Sequence, residues 1–166
     1  MTMTFRALTA ALVLATLSPV AALSQGAQLA FGGIRADPSL PVEVTADQLA
    51  VNQTDGTATF TGNVLVAQGD MRLSAAEVLV EYGNDDRTRI ERLHATGGVT
   101  LVSGTDAAEA AEAVYTINSG DVVMTGNVLL TQGANTVAGQ RLTVDLKSGT
   151  GRMEGRVKTV LQPGDN

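Results

Sequence analysis

The sequence predicts an all-β protein, a stack of antiparallel strands with solenoid-like internal repeats, and three observations carry that reading. Thr-Gly-Asn-Val-Leu-Val-Ala-Gln-Gly at 61–69 recurs as Thr-Gly-Asn-Val-Leu-Leu-Thr-Gln-Gly at 125–133, an offset of 64 residues that holds without a gap as far as Tyr82 and Leu146. Apolar and polar residues alternate from Val42 onward, the period of a strand with one buried face. Gly, Asn and Asp return at short intervals, where a reversal needs positive φ or a local side-chain hydrogen bond.

The chain opens on a different kind of segment. Met1 to Arg6 carries one positive charge, 7–22 is mostly Ala, Leu, Val and Thr, and Ala22-Leu23-Ser24 places small residues where a signal peptidase reads. This predicts a cleaved signal peptide over 1–24, with Ala22 as the alternative end. An uncleaved membrane anchor competes with it, but Ser18 and Pro19 interrupt the run, which falls short of the ~20 apolar residues a span needs. Export across a membrane follows. Loss of Arg6 with the leader lowers the net charge from −6 to −7. An acidic chain is a poor nucleic-acid binder, because phosphates need a basic face. With no cysteine, neither a disulfide framework nor a thiolate metal site is available. Three per cent aromatic residues, no Trp and 18 Gly suit thin, regularly stacked strands with aliphatic faces. Residues 25–41 read as an irregular lead-in, 42–162 as a single domain and 163–166 as a tail.

Within the domain, weaker copies of the repeat fill the gaps. Thr96-Gly97-Gly98-Val99 lies 35 residues beyond Thr61, and in that frame Gly104 answers Gly69, Ala110-Ala111-Glu112 answers Ala75-Ala76-Glu77, and Val114 answers Leu79. Met153 to Val157 answers Phe60 to Val64, and Thr45 to Val51 resembles Ser74 to Val80. One stretch conflicts with its own propensity: 106–113, Asp-Ala-Ala-Glu-Ala-Ala-Glu-Ala, favours helix taken alone. The repeat frame makes it a turn and a strand, and strand propensity is decided largely by neighbours. Gly97-Gly98 reads as one of the turns.

Stacked strands of this kind line up same-face residues. One layer is expected to carry Phe60, Val64 and Val66; Leu93, Val99 and Leu101; Met124, Val128 and Leu130; and Met153 and Val157. The opposing layer would carry Val44, Leu49 and Val51; Leu73, Val78 and Val80; Val114 and Ile117; and Leu142, Val144 and Leu146. Two such layers enclose a core, or a groove if they splay.

Thr-Ala-Asp-Gln-Leu at 45–49, Phe-Thr-Gly-Asn-Val at 60–64, Gln68-Gly69 and the later Gly-Asn-Val and Gln-Gly resemble the OstA-like domain family of periplasmic lipopolysaccharide transport proteins. The resemblance spans Val42 to about Leu161. It implies a β-jellyroll and a periplasmic bridge on which lipopolysaccharide passes from the inner to the outer membrane, its acyl chains against the aliphatic residues just named. It also implies like-folded partners at the two ends, LptC-like at the inner membrane and LptD-like at the outer; independently, the unpaired edges of such a stack, near Val42 to Thr45 and Arg156 to Leu161, invite strand addition and a head-to-tail homo-oligomer. No cofactor, nucleotide or metal is called for, and no catalytic residue is assigned.

Other residues have simpler roles. His94, the one histidine, points outward by alternation. Asp85, Asp86 and Asp106 sit at turns, where carboxylates stabilise reversals; Glu109 and Glu112 read as solvated charges. Arg72, Arg87, Arg89, Arg92 and Arg141 are candidates for lipid phosphates, against a solvated strand face. Three alternatives remain open: a structural β-solenoid or adhesin module with a sealed core, an anchored LptC-like relative, and a parallel β-helix hydrolase or acyltransferase, for which the required six-residue period and carboxylate cluster are absent.

Overall fold

A computed structural model describes residues 27–30, 34–83 and 89–162; the expected leader lies outside them. Among the described residues eleven strands follow in order: β1 (Ala27–Ala30), β2 (Glu43–Thr45), β3 (Gln48–Asn52), β4 (Thr57–Gln68), β5 (Met71–Tyr82), β6 (Ile90–Ser103), β7 (Asp106–Thr116), β8 (Asp121–Gln132), β9 (Asn135–Asp145), β10 (Thr150–Glu154) and β11 (Lys158–Val160). From β4 to β10 each pairs antiparallel with the next, while β2 and β3 share one edge of β4 and β10 and β11 share one edge of β9. The fold is an all-β jellyroll, as the sequence predicts. The Ala/Glu-rich stretch is strand from Asp106 onward, because β6 and β8 claim its backbone groups on both sides.

The repeated Gly-Asn bends the strands. Gly62 and Asn63 lie at φ 83° and 44°, Gly126 and Asn127 at 87° and 49°, Gly155 and Arg156 at 82° and 48°, and Gly97 and Gly98 at 84° and 87°. Two residues there face one on the neighbour: pairing jumps from Thr61/Glu77 to Val64/Ala75 and from Thr125/Arg141 to Val128/Gly139. Each is a β-bulge, and a bulge bends the strand and increases its twist. Gly97-Gly98 is therefore a mid-strand bend and not the turn expected; that reversal falls at Gly104, φ 58°. A Cβ on Gly97 would stand 2.5 Å from the Cβ of Ala76, so the partner strand presses on the bend.

This column of bends corrects the layer assignment. The two layers are not alternate strands; each long strand contributes a half to both. In β5 the inward residues are 71, 73 and 75 on one side of the bend and 78 and 80 on the other, the parity change that a bulge on the neighbour imposes. Inward residues of both halves belong to one buried cluster. The hydroxyl of Tyr115, in the second half of β7, reaches Gln68, at the far end of β4, and ties the halves across the interior.

The described residues of the lead-in, expected to be irregular, take part in the fold. They supply β1, which pairs with β10, and a strap from 34 to 42 that returns along the stack to β2. Ile34 is fully buried. The Arg35 N–H donates to Ser103 Oγ (3.4 Å), Ser103 Oγ donates to the Arg35 carbonyl (3.1 Å), and Arg35 Nη2 donates to the Ser148 carbonyl (3.4 Å). Ser103 ends one half-sheet and Ser148 lies in a turn of the other, so the strap closes the mouth between them.

Candidate functional site: the aliphatic interior and its two ends

The interior is built by alternation on either side of the bends. Val64, Val66, Leu73, Val78, Val80, Leu93, Val99, Leu101, Met124, Val128, Leu130, Leu142, Val144, Leu146 and Met153 are buried, each at most 3% exposed. Val44, Phe60 and Ile117 are half-buried against them. Removing a Val, Leu or Met side chain from water stabilises by about 1.5–3 kcal/mol, so this lining is also what holds the fold together. At zero exposure, as for Leu101, Met124, Leu130 and Leu142, no water-sized sphere fits against the side chain. The middle of the interior is filled.

Four expected lining residues are placed otherwise. Val114 stands opposite His94 on the outer face, while Ala113 and Tyr115 turn inward. The 35-residue frame already equated it with Leu79, which also pairs with His94. Leu49 and Val51 occupy inner-face register, opposite Phe60 and Ala58, yet are 57% and 63% exposed because β3 ends the stack and no other described strand covers them. Val157 is 38% exposed for the same reason at the other end, beyond the last residue of β10. A hollow of about 430 Å³ opens beside Val51 at this first end, lined also by Asn52, Gln53, Gly56, Thr57 and Tyr82.

Sequence reasoning missed the polar residues of the interior rim. Gln68 is 1% exposed; its Oε1 accepts from the Tyr115 hydroxyl at 2.7 Å and its Nε2 donates to the Leu40 carbonyl at 2.9 Å, clamping the strap. Burial pushes the Tyr115 hydroxyl above the ordinary phenol pKa, against the smaller opposing effect of its bond to Gln68. The signal for Tyr115 was present, since the repeat frame sets it on buried Val80. Asp106 Oδ2 accepts from Gln132 Nε2 at 2.8 Å across β7 and β8.

Asp106 is buried at 5% exposure, whereas the other charged residues singled out in the sequence lie at the surface where they are described. His94 Nε2 lies 3.3 Å from Glu112 Oε2, and Thr125 Oγ1 donates to Glu112 Oε1 at 2.8 Å. Those two hydrogen bonds, Thr125 first, hold the Glu112 carboxyl below the usual glutamate range. Of the arginines offered for phosphates, Arg92 pairs with Glu81, and Arg72 donates to the carbonyls of Gly69 and Met71. Arg87, Asp85 and Asp86 lie outside the described residues.

Comparison with known proteins places this geometry. The family model described as LptA/(LptD N-terminal domain) LPS transport protein matches residues 43–150. An uncharacterised protein of Rhizobium meliloti strain 1021 is 30% identical over 162 residues, 90% of this chain and 86% of that one. The lipopolysaccharide export system protein LptA of Escherichia coli K12 is 28% identical over 143 residues, covering 78% of this chain and 75% of that one. Among solved structures, LptH of Pseudomonas aeruginosa, described as the LptA-homologous periplasmic component of the lipopolysaccharide transport device, superposes with TM-score 0.69 at 20% identity, covering 77% of this chain and 99% of that one. The chain belongs to the LptA/(LptD N-terminal domain) family of LPS transport proteins.

Proposed function

We propose that this chain is a non-enzymatic periplasmic carrier of lipopolysaccharide that holds acyl chains between its two half-sheets, as one link of a bridge from the inner to the outer membrane. The observation that carries the reading is the family match over 43–150, which spans the strands that bear most of the aliphatic interior. Burial yields ~0.8 kcal/mol per CH₂, so one long acyl chain gains on the order of 10 kcal/mol gross. That gain suffices to hold a lipid without nucleotide or metal. Entry would begin where the lining is uncovered, at Leu49 and Val51, and proceed by parting the half-sheets under the strap. LptC-like and LptD-like partners would add to the strand edges at the two ends, as would further copies of this chain.

A second reading is favoured by the filled interior: a structural module whose core never opens. Photo-crosslinking residues at Val64, Val128 and Leu142, with outward controls at Thr61 and Thr143, separate the two. Lipopolysaccharide adducts at the inward sites are the expected result. Adducts confined to the outward sites would sink the carrier reading; Val128→Asp should weaken capture, and because Val128 is buried its β-sheet circular dichroism signal is checked before capture is read.

A further inference from the structure

The two ends of the stack are finished differently. At the first end β2 and β3 pair with β4, and among the described residues no strand pairs with their outer edge. At the last end β10 carries a further strand: β1, with Ala27 opposite Met153, Gln28 opposite Arg152, Leu29 opposite Gly151 and Ala30 opposite Thr150. The first of the described strands in the chain is thus the last strand of the sheet.

Register shows whose place β1 holds. Leu49 faces Phe60, which faces Val78; Val78 faces Ala95, Ala95 faces Ala113, Ala113 faces Met124, Met124 faces Leu142, and Leu142 faces Met153. The position beyond Met153 is therefore a Leu49 position, and the next strand of the series would be a β3. β1 carries the same tripeptide, Gln28-Leu29-Ala30 against Gln48-Leu49-Ala50, slipped by two residues. An even slip keeps strand parity. Among the described residues β1 has four paired residues and covers the β10 half of this edge, leaving β11 without it. At the opposite end, β3 has five paired residues, and its Leu49 and Val51 lie at inner-face positions uncovered.

We propose that β1 is an intrachain stand-in for the β3 strand of a second copy of this chain, and that head-to-tail addition exchanges β1 for the incoming β3 on β10, with the incoming β2 meeting β11. The proposal rests on the end-to-end assembly described under the proposed function. Its physical logic is competition for one edge. An uncovered edge pairs with any strand it meets. A short resident strand blocks that pairing and yields to a longer one, and the apparent affinity between copies falls by the fraction of molecules in which the edge is free.

The test measures mass against concentration by sedimentation velocity for the processed chain and three variants. Leu29→Pro removes a backbone donor from β1 and fixes its φ. Gln28→Cys/Arg152→Cys, at facing positions in a chain with no other cysteine, fastens β1 to β10 when oxidised. Val51→Asp spoils the free end. Leu29→Pro should associate at roughly tenfold lower concentration than the parent, in proportion to the edge freed. The oxidised double-cysteine form should stay monomeric where the parent associates, and regain association on reduction. Parent-like association in both β1 variants, still abolished by Val51→Asp, overturns the stand-in and leaves end-to-end assembly standing. Association insensitive to all three, or absent from every form, overturns both.

Discussion

Tyr115 and Gln68, 47 residues apart in the chain, meet across the interior with the tyrosine hydroxyl donating to Gln68 Oε1 at 2.7 Å. The same amide donates to the Leu40 carbonyl, so one buried side chain couples both half-sheets to the strap. Tyr115→Phe keeps the ring and leaves Gln68 Oε1 buried without this donor, which costs about 1–3 kcal/mol. The urea midpoint should fall accordingly. The wild type should also lose stability at alkaline pH: burial raises the Tyr115 pKa, so its contribution is complete below the ordinary phenol pKa and is lost as pH rises through the folded value. The phenylalanine variant should lack that component.

Gly97 and Gly98 share positive φ but differ in surroundings: a Cβ on Gly97 would meet Ala76 at 2.5 Å, whereas one on Gly98 meets nothing within 4 Å. Alanine at Gly98 should cost only the left-handed backbone penalty, about 1–2 kcal/mol. At Gly97 a clash of about 1–3 kcal/mol adds to it. Equal urea midpoints for the two variants would show that Ala76 does not press on the bend.

Ile34 is an apolar side chain in an irregular segment, yet it is fully buried. Ile34→Ala should therefore behave as a core truncation, destabilising by about 2–5 kcal/mol. If the strap gates the interior, the same variant should take up lipopolysaccharide faster, as read by crosslinking at Val128. A stability loss below about 0.5 kcal/mol, the range of a surface change, would mean that the strap does not close the mouth.

The sequence and the structure agree where local pattern decides and part where the ends of the stack decide. The offset of 64 residues and the period of two name the long strands and most of their inward residues. The same pattern places Leu49 and Val51 inward but cannot say that among the described strands β3 has no outer neighbour, because exposure there follows from sheet order. Val114 was misplaced against the chain's own frame, which pairs it with Leu79: a bulge on the neighbour shifts the parity of β7, so that counting by twos across it changes faces. Nothing local marks β1 or the strap from 34 as part of the fold, since β1 and Arg35 are held by partners more than 60 residues away, at β10 and Ser103. Gly-Asn was legible as a repeated mark, and the structure makes it the bend that gives two layers from one ladder.

Acid should weaken the outer face in a defined way. Hydrogen bonds from Thr125 and then His94 lower the Glu112 pKa, and the Ser39 hydroxyl and N–H do the same for Asp37, as Ser148 does first for Asp145. A depressed carboxyl contributes stability that is present above its unfolded pKa and is lost as pH falls through its folded value. Unfolding free energy should therefore hold near neutrality and decline as pH drops below the usual carboxylate range. Thr125→Ala removes the hydrogen bond with the larger effect on Glu112, so the variant's curve should approach that of the wild type as pH falls. All three groups are exposed to solvent, and salt should diminish the His94–Glu112 part of the effect. A pH-independent difference between Thr125→Ala and wild type, measured by urea unfolding at each pH, would assign the threonine's role to packing on the strand face instead of to the carboxylate.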